Sequence, residues 1–377
     1  MNKKNREQYR SLSFFAAIEK EDKIWVSNLR FNGLYVIDIC TGECEFMGRF
    51  MGYKDDAVGL HEVVKEYDNK LFFFPHYSSS IDVYDIQRKT FYSCSINAWK
   101  GCLTDRNFTC AIDAFRFGDF FYLFPRFPNM PLIKYSISEN RIVQEIELKL
   151  SNELRHFDEM NLTSNAICVD NKVFFPLFNS NKVIRFDLMA ETEECLVVEG
   201  IERINGVIAF DGSKFWINAD SSIFVFDSNF VQKACFMHCV SEKEMLIINY
   251  VFKDGVTYAL PAWLGKIKKI DLENNILYEK EIEPSQLKVV EGVLSRWRNL
   301  GTVVEHGNYF LANPISLDCA WKIDYSQFTI EGIYYKAPIN SLPKRDFSED
   351  KIYHEDGDFD DFLEYLIQQK MTRTLEY

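Results

Sequence analysis

No stretch of this chain stays apolar over the roughly 18 residues a membrane helix needs. The one early apolar run, LSFFAA from Leu12 to Ala17, is too short for the core of a secretion signal. A membrane span is therefore not expected, and the expected compartment is the cytoplasm. Basic blocks are also missing: beyond the opening MNKKNREQYR no cluster of Lys and Arg occurs, and the net charge is −13. Binding to a phosphate backbone by charge is excluded on that ground, so no nucleic-acid partner is expected. Cysteine is sparse, ten in 377 residues, and most of it sits inside apolar strand-like runs, which reads as buried free thiols. Cys40 and Cys44 flank a Thr41-Gly42 turn, and Cys235-Phe236-Met237-His238-Cys239 resembles half of a zinc site, but no second knuckle completes it. No metal site and no cofactor are expected. The chain also lacks G-x-S-x-G, a P-loop and G-x-G-x-x-G, which removes the commonest nucleophile and phosphate signatures.

What the chain has in quantity is aromatic residues. With 33 Phe and 19 Tyr, aromatics reach 15% and apolar residues 47%, a composition suited to pleated sheets with a large core. The phrase DNKLFFFPHYSSSIDVYDI, starting at Asp68, returns near Asp170 as DNKVFFPLFNSNKVIRFDL. It belongs to a unit that occurs seven times: a strand, a tight turn, a second strand ending at Pro or Asn, a third ending in an aromatic or Ile and then Asp, and a fourth strand.

The turns are Glu21-Asp22, Asp68-Asn69, Gly118-Asp119, Asp170-Asn171, Asp211-Gly212, Asp254-Gly255 and Gly307-Asn308, most of them pairs that suit the positive φ of a two-residue hairpin. Second strands close at Asn28, Pro75, Pro125, Pro176, Asn218, Pro261 and Asn313; proline cannot donate to a ladder and so marks a strand end. Third strands close at Ile37-Asp38, Tyr84-Asp85, Tyr135-Ser136, Phe186-Asp187, Phe226-Asp227, Ile270-Asp271 and Ile323-Asp324, at intervals of 47, 51, 51, 40, 44 and 53 residues. That period matches a four-stranded propeller blade. The expectation is an all-β, seven-bladed β-propeller of four-stranded blades over residues 12–336, after an N-terminal tail at 1–11. Six or eight blades and a two-sheet sandwich are the alternatives. Within the ring, Ser13 to Ile18 is expected to open the first blade and Thr329 to Tyr335 to close the last.

KIWVSN followed by GLYVIDICTGE, within Lys23 to Glu43, resembles the YVTN-type propeller repeat, and the aromatic-Asp endings are similar to kelch and WD-type repeats. The resemblance covers residues 12–336 and implies a propeller scaffold. Four of the seven units carry Pro where the YVTN-type repeat has Asn, and the kelch glycine pair is missing. Because propellers host lectins, scaffolds, lyases and hydrolases alike, the scaffold implies no particular activity.

From Ala337 the composition changes to an acidic extension, 337–377. Phe359, Phe362, Leu363, Leu366 and Ile367 fall at helical spacing behind Asp358 as N-cap, which predicts a short amphipathic C-terminal helix. It either packs on the propeller or docks a partner.

In a propeller, the loops from second to third strands and from one blade to the next share one face, here called the top, and rigidly mounted loops are where binding residues concentrate. These loops carry Arg30, His76, Tyr77, Arg126, Phe127, Phe178, Asp220 and Trp263, with an aromatic two residues after the Pro in four blades. Long blade-to-blade connections add Arg155, His156 and the cluster Arg296-Trp297-Arg298, and a shorter one adds His61-Glu62. Aromatic platforms flanked by Arg and Asp fit a sugar or a peptide side chain, and Arg forks onto carboxylates. The leading expectation is a non-catalytic binding propeller that recognises a protein, peptide or glycan through Arg30, Tyr77, Arg126, Phe127, Phe178, Asp220, Trp263, Arg296, Trp297 and Arg298. The alternative is a metal-assisted lyase or hydrolase at the channel mouth, using His61, Glu62, His76 and His156.

Overall fold

The computed structural model describes residues 12–99, 111–126, 130–148, 165–177, 180–237, 247–261, 266–281, 300–314 and 319–343. They form seven four-stranded antiparallel sheets, each made of four strands consecutive in the chain and paired in chain order. Blade 1 comprises Ala17–Lys20, Lys23–Ser27, Leu34–Asp38 and Cys44–Gly48, and blade 2 comprises His61–Tyr67, Lys70–Pro75, Ser80–Asp85 and Thr90–Ser95. Blades 3 to 7 span 111–146, 167–197, 204–237, 247–281 and 300–333. First strands touch at six of the seven blade junctions, that of blade 1 with blade 7 included, and a shared apolar core joins blades 3 and 4, so the sheets close into a ring with the first strands innermost. This is the seven-bladed β-propeller expected from the repeat. Apart from one 3₁₀ turn at Ile339–Ser341, no helix occurs among the described residues. None is long and apolar enough to cross a membrane. The predicted C-terminal helix lies outside the described residues.

The aromatic runs in the second strands follow from burial on both faces. In Lys70–Pro75, Leu71 and Phe73 point into the seam between blades 1 and 2, while Phe72 and Phe74 point into the seam between blades 2 and 3. Alternation by two therefore fills two cores at once, and such a strand reads as continuously apolar. Seven apolar clusters occupy the seven seams, one each.

The repeat's polar residues hold turns. Glu21, Asp22, Asp68, Asn69, Asp170 and Asn171 all have positive φ, as a type I′ hairpin requires. An Asp that ends a third strand receives backbone N–H groups of the following turn: Asp38 from Cys40 and Thr41, Asp187 from Met189 and Ala190, Asp324 from Ser326 and Gln327. Those donors hold the three carboxyls below the usual range. Blade 3 has Ser136 at this position. Asp119, from the preceding hairpin, reaches across to accept from Ser136 Oγ at 3.1 Å and Ser138 Oγ at 2.5 Å, so a carboxylate serves the same turn from another place in the chain.

Two strand boundaries differ from the sequence reading. Blade 1 opens at Ala17 rather than Ser13, and the last strand is Ile330–Ile333 rather than Thr329–Tyr335. Both outlying segments are used in closure. Leu12 N donates to Tyr335 O at 3.1 Å, Phe14 stacks on Tyr335, and Leu12, Phe14, Ala337 and Leu342 join the blade 7–blade 1 core. The extension after 336 thus begins as part of the closure: Tyr35 Oη donates to Ser341 Oγ and Arg49 Nη2 to Ser341 O.

Candidate functional site

The first strand of blade 2 begins at the top of the ring with His61-Glu62. His61 pairs with Pro75 and Val63 with Phe74, so Glu62 is the extra residue of a β-bulge. The bulge reverses the alternation. In a regular strand His61 and Val63 would share a face; here Val63 packs in the blade 2–3 seam, whereas His61 enters the blade 1–2 seam against Phe50 and Phe73.

Glu62 itself is left at the top, where it bridges two loops. Its Oε2 lies 2.5 Å from His76 Nδ1 and its Oε1 3.0 Å from Arg126 Nη2. His76 follows Pro75 in blade 2, and Arg126 follows Pro125 at the same position in blade 3. The chain Arg126–Glu62–His76 is nearly enclosed, with side chains 14%, 11% and 2% exposed. An ion pair this enclosed is held in one geometry, at a desolvation cost that a ring seam does not require. The His76 ring packs between Phe15 and Tyr77, at centroid distances of 5.1 and 4.2 Å. Tyr77 lies over Gly59, whose φ is +61° and where a Cβ would stand 2.5 Å from the ring. Glycine is required there on both counts.

Beneath this chain is a second polar group. Ser27 Oγ lies 2.8 Å from His61 Nδ1, and Asp82 Oδ2 lies 2.8 Å from Nε2. A carboxylate oxygen accepts, so Nε2–H donates to Asp82, and Nδ1 shares the second hydrogen bond with the Ser27 hydroxyl. Tyr53 Oη meets Ser80 Oγ at 2.5 Å beside Asp82, and burial pushes its hydroxyl up to about 12. Ser27, His61 and Asp82 are each about 2% exposed. The arrangement matches the order of a Ser-His-Asp triad but is sealed inside the seam, where it locks blade 1 to blade 2.

The expected site residues therefore separate into groups. Glu62, His76, Tyr77 and Arg126 come together at the top of blades 2 and 3. His61 is turned away into the seam, both its nitrogens engaged. Among the described residues, His61, Glu62 and His76 do not bring three ligand atoms within reach of one ion. Arg30 is buried at the top of blade 1, 7% exposed. Asp220, on blade 5, receives the backbone N–H of Glu202 and Arg203 and so fixes the blade 4–5 connection. Phe127, His156, Phe178, Trp263, Arg296, Trp297 and Arg298 lie outside the described residues, as does His238 of the half zinc motif.

Sequence reasoning missed Ser27, Tyr53, Ser80 and Asp82. One signal was present: three residues before the third-strand end, the other blades carry Tyr35, Ile133, Ile184, Phe224, Lys268 and Trp321, and blade 2 carries Asp82. A carboxylate at a core register needs a partner.

No protein-family model and no curated protein matches the chain. Solved structures do. Virginiamycin B lyase from Staphylococcus aureus is 11% identical, covering 82% of this chain and 93% of that one, with a TM-score of 0.59. A streptogramin B lyase is 13% identical over 73% of this chain and 83% of that one, with a TM-score of 0.51. The dihydro-heme d1 dehydrogenase NirN, in complex with DHE, is 12% identical over 84% of this chain and 65% of that one, with a TM-score of 0.52. Likeness at these identities is a likeness of fold, and these propellers include lyases and a dehydrogenase.

Proposed function

We propose that the protein is a binding propeller whose top face recognises a protein, peptide or glycan, with the recognition centre at blades 2 and 3. One observation carries this reading: the enclosed Arg126–Glu62–His76 chain sits at the loop ends of the ring and, among the described residues, is peculiar to those blades. At the corresponding bulge blade 3 carries Ile112, and after the corresponding proline blade 4 carries Leu177. Apolar residues thus satisfy the scaffold at these positions, and the charged set supports a recognition role. Its chemistry, a carboxylate, an imidazole and a guanidinium beside Tyr77, suits a ligand rich in hydroxyl, amide or carboxylate groups.

A second reading is favoured by the 2.5 Å contact between Glu62 and His76. A carboxylate that orients an imidazole is the arrangement of a general base, which would make the same site catalytic. Metal assistance gains no support from these residues, since the side chains of His61 and His76 point to different places.

The test is a glycan and peptide array probed with the full chain and with Tyr77→Ala and Arg126→Met. Ligands retained by the wild type and lost by both variants support the reading. Retention unchanged in both variants overturns it. Turnover of a retained ligand that is lost in His76→Gln favours the catalytic version.

A further inference from the structure

We propose that Glu19, Asp22 and His306 form a divalent-cation site at the bottom mouth of the channel, where the first blade meets the last. The inference is independent of the top-face reading. The first strand of blade 1 ends in the Glu21-Asp22 turn and that of blade 7, Leu300–His306, in the Gly307-Asn308 turn, and these two innermost strands are in contact. Three ligand atoms converge there. His306 Nδ1 stands 3.0 Å from Glu19 Oε1 and 3.8 Å from Asp22 Oδ1, and all three atoms lie within 4.8 Å of one another.

Ligands bound about 2.1 Å from one ion stand about 3.0–3.4 Å apart, the smaller value for octahedral and the larger for tetrahedral angles. His306 Nδ1 already stands at such a separation from Glu19 Oε1, and side-chain rotation would draw Asp22 Oδ1 in from 3.8 Å. Two carboxylates and one neutral imidazole carry a charge of about −2, which a divalent ion neutralises. A nitrogen with two carboxylate oxygens and no thiolate selects Zn²⁺, Co²⁺, Mn²⁺ or Fe²⁺ over Cu⁺, and leaves coordination positions for water.

The Tyr309 ring lies 5.4 Å from that of His306, and Glu19 and Asp22 of blade 1 face the imidazole across the seam. Of the nearby cations, Lys20 is directed to Glu66 and Asn69 of blade 2, and Lys322 lies over the Tyr309 ring. Lys23 is beside Asp38.

The position also gives the ion a role. Each blade uses four consecutive strands, so no shared strand fastens the ring, and closure depends on the blade 7–blade 1 core and its few hydrogen bonds. Glu19 and His306 are 287 residues apart in the chain, so a metal joining them closes a loop that spans most of the propeller. Because the ion binds only the closed ring, it stabilises that state by mass action.

The experiment uses the full chain, stripped with a chelator and titrated with Zn²⁺ and, separately, Co²⁺. The expected result is one ion per chain, a Co²⁺ d–d spectrum without thiolate charge transfer, and a rise in Tm on metal addition. Asp22→Asn should weaken binding about tenfold or more, and His306→Gln should abolish the Tm rise. Asp22 is 80% exposed, so its substitution leaves folding intact and keeps the test decisive. No uptake, or uptake with thiolate bands that neither variant changes, overturns the proposal.

Discussion

Glu62 of blade 2 and Arg126 of blade 3 form a salt bridge across the blade seam, Oε1 to Nη2 at 3.0 Å, and the other oxygen of the same carboxylate holds His76. One carboxylate thereby ties two loops and two blades together. Its place in the strand is a bulge, without which Glu62 would join the regular alternation and His61 would leave the blade 1–2 seam.

Arg126→Met leaves the Glu62 carboxylate enclosed with one partner fewer, and should lower stability by about 3 kcal/mol in urea unfolding. Adding Glu62→Gln to it should recover part of that loss. Additive losses in the double variant would contradict the coupling.

Asp119→Ala should destabilise blade 3 by about 1 kcal/mol, through loss of its hydrogen bonds to Ser136 and Ser138. Ser136→Asp in that background should restore stability, because it recreates the turn cap of the other blades. The same substitution in the wild type should not stabilise, since two carboxylates would then face each other.

Gly206→Ala should cost about 1–3 kcal/mol. A Cβ there would stand 2.1 Å from Asn218 Oδ1, the atom that accepts the backbone N–H of Ile247 and so joins blade 5 to blade 6. Thermal unfolding of Gly206→Ala at or above the wild-type Tm would show that the joint can move without loss.

Trp216 Nε1 donates to Asp211 Oδ2 at 2.8 Å. Burial alone would raise the Asp211 carboxyl, but this bond and the donors of Ser213 and Lys214 outweigh it, and the pKa is lowered. A lowered folded pKa means that the contribution is fully present above the unfolded value, about 3.9, and is lost as pH falls through the folded value. Stability measured from pH 6 to pH 3 should therefore fall more steeply in the wild type than in Asp211→Asn, with Trp216 emission changing over the same range. Parallel curves would contradict the assignment.

The ring was legible because its signals are local and repeated. The Asp-Asn and Asp-Gly turns, the prolines closing second strands and the Asp closing third strands each have a short-range physical cause, and each recurs in most blades. Closure was less legible. Leu12, Phe14, Tyr335 and Ser341 meet only when the first blade reaches the last, so reading them as strand ends or tail followed from sequence adjacency alone.

At the site, residue types were readable and their directions were not. His61 and His76 read alike in the sequence, but one inserted residue, Glu62, sends His61 into the seam while His76 stays, enclosed, at the top of the ring. Asp82 was readable as an odd residue at a core register; its partner His61, two strands away in the same blade, was not. The same holds for Glu19, Asp22 and His306, which no spacing connects.

The account's central claim is that recognition occurs at the top of blades 2 and 3. The most direct measurement is hydrogen–deuterium exchange of the full chain with and without an array-selected ligand. The account predicts protection confined to the loop ends around 60–63, 75–78 and 125–126. Protection on the outer fourth strands or at the bottom turns, with these segments unchanged, would contradict it.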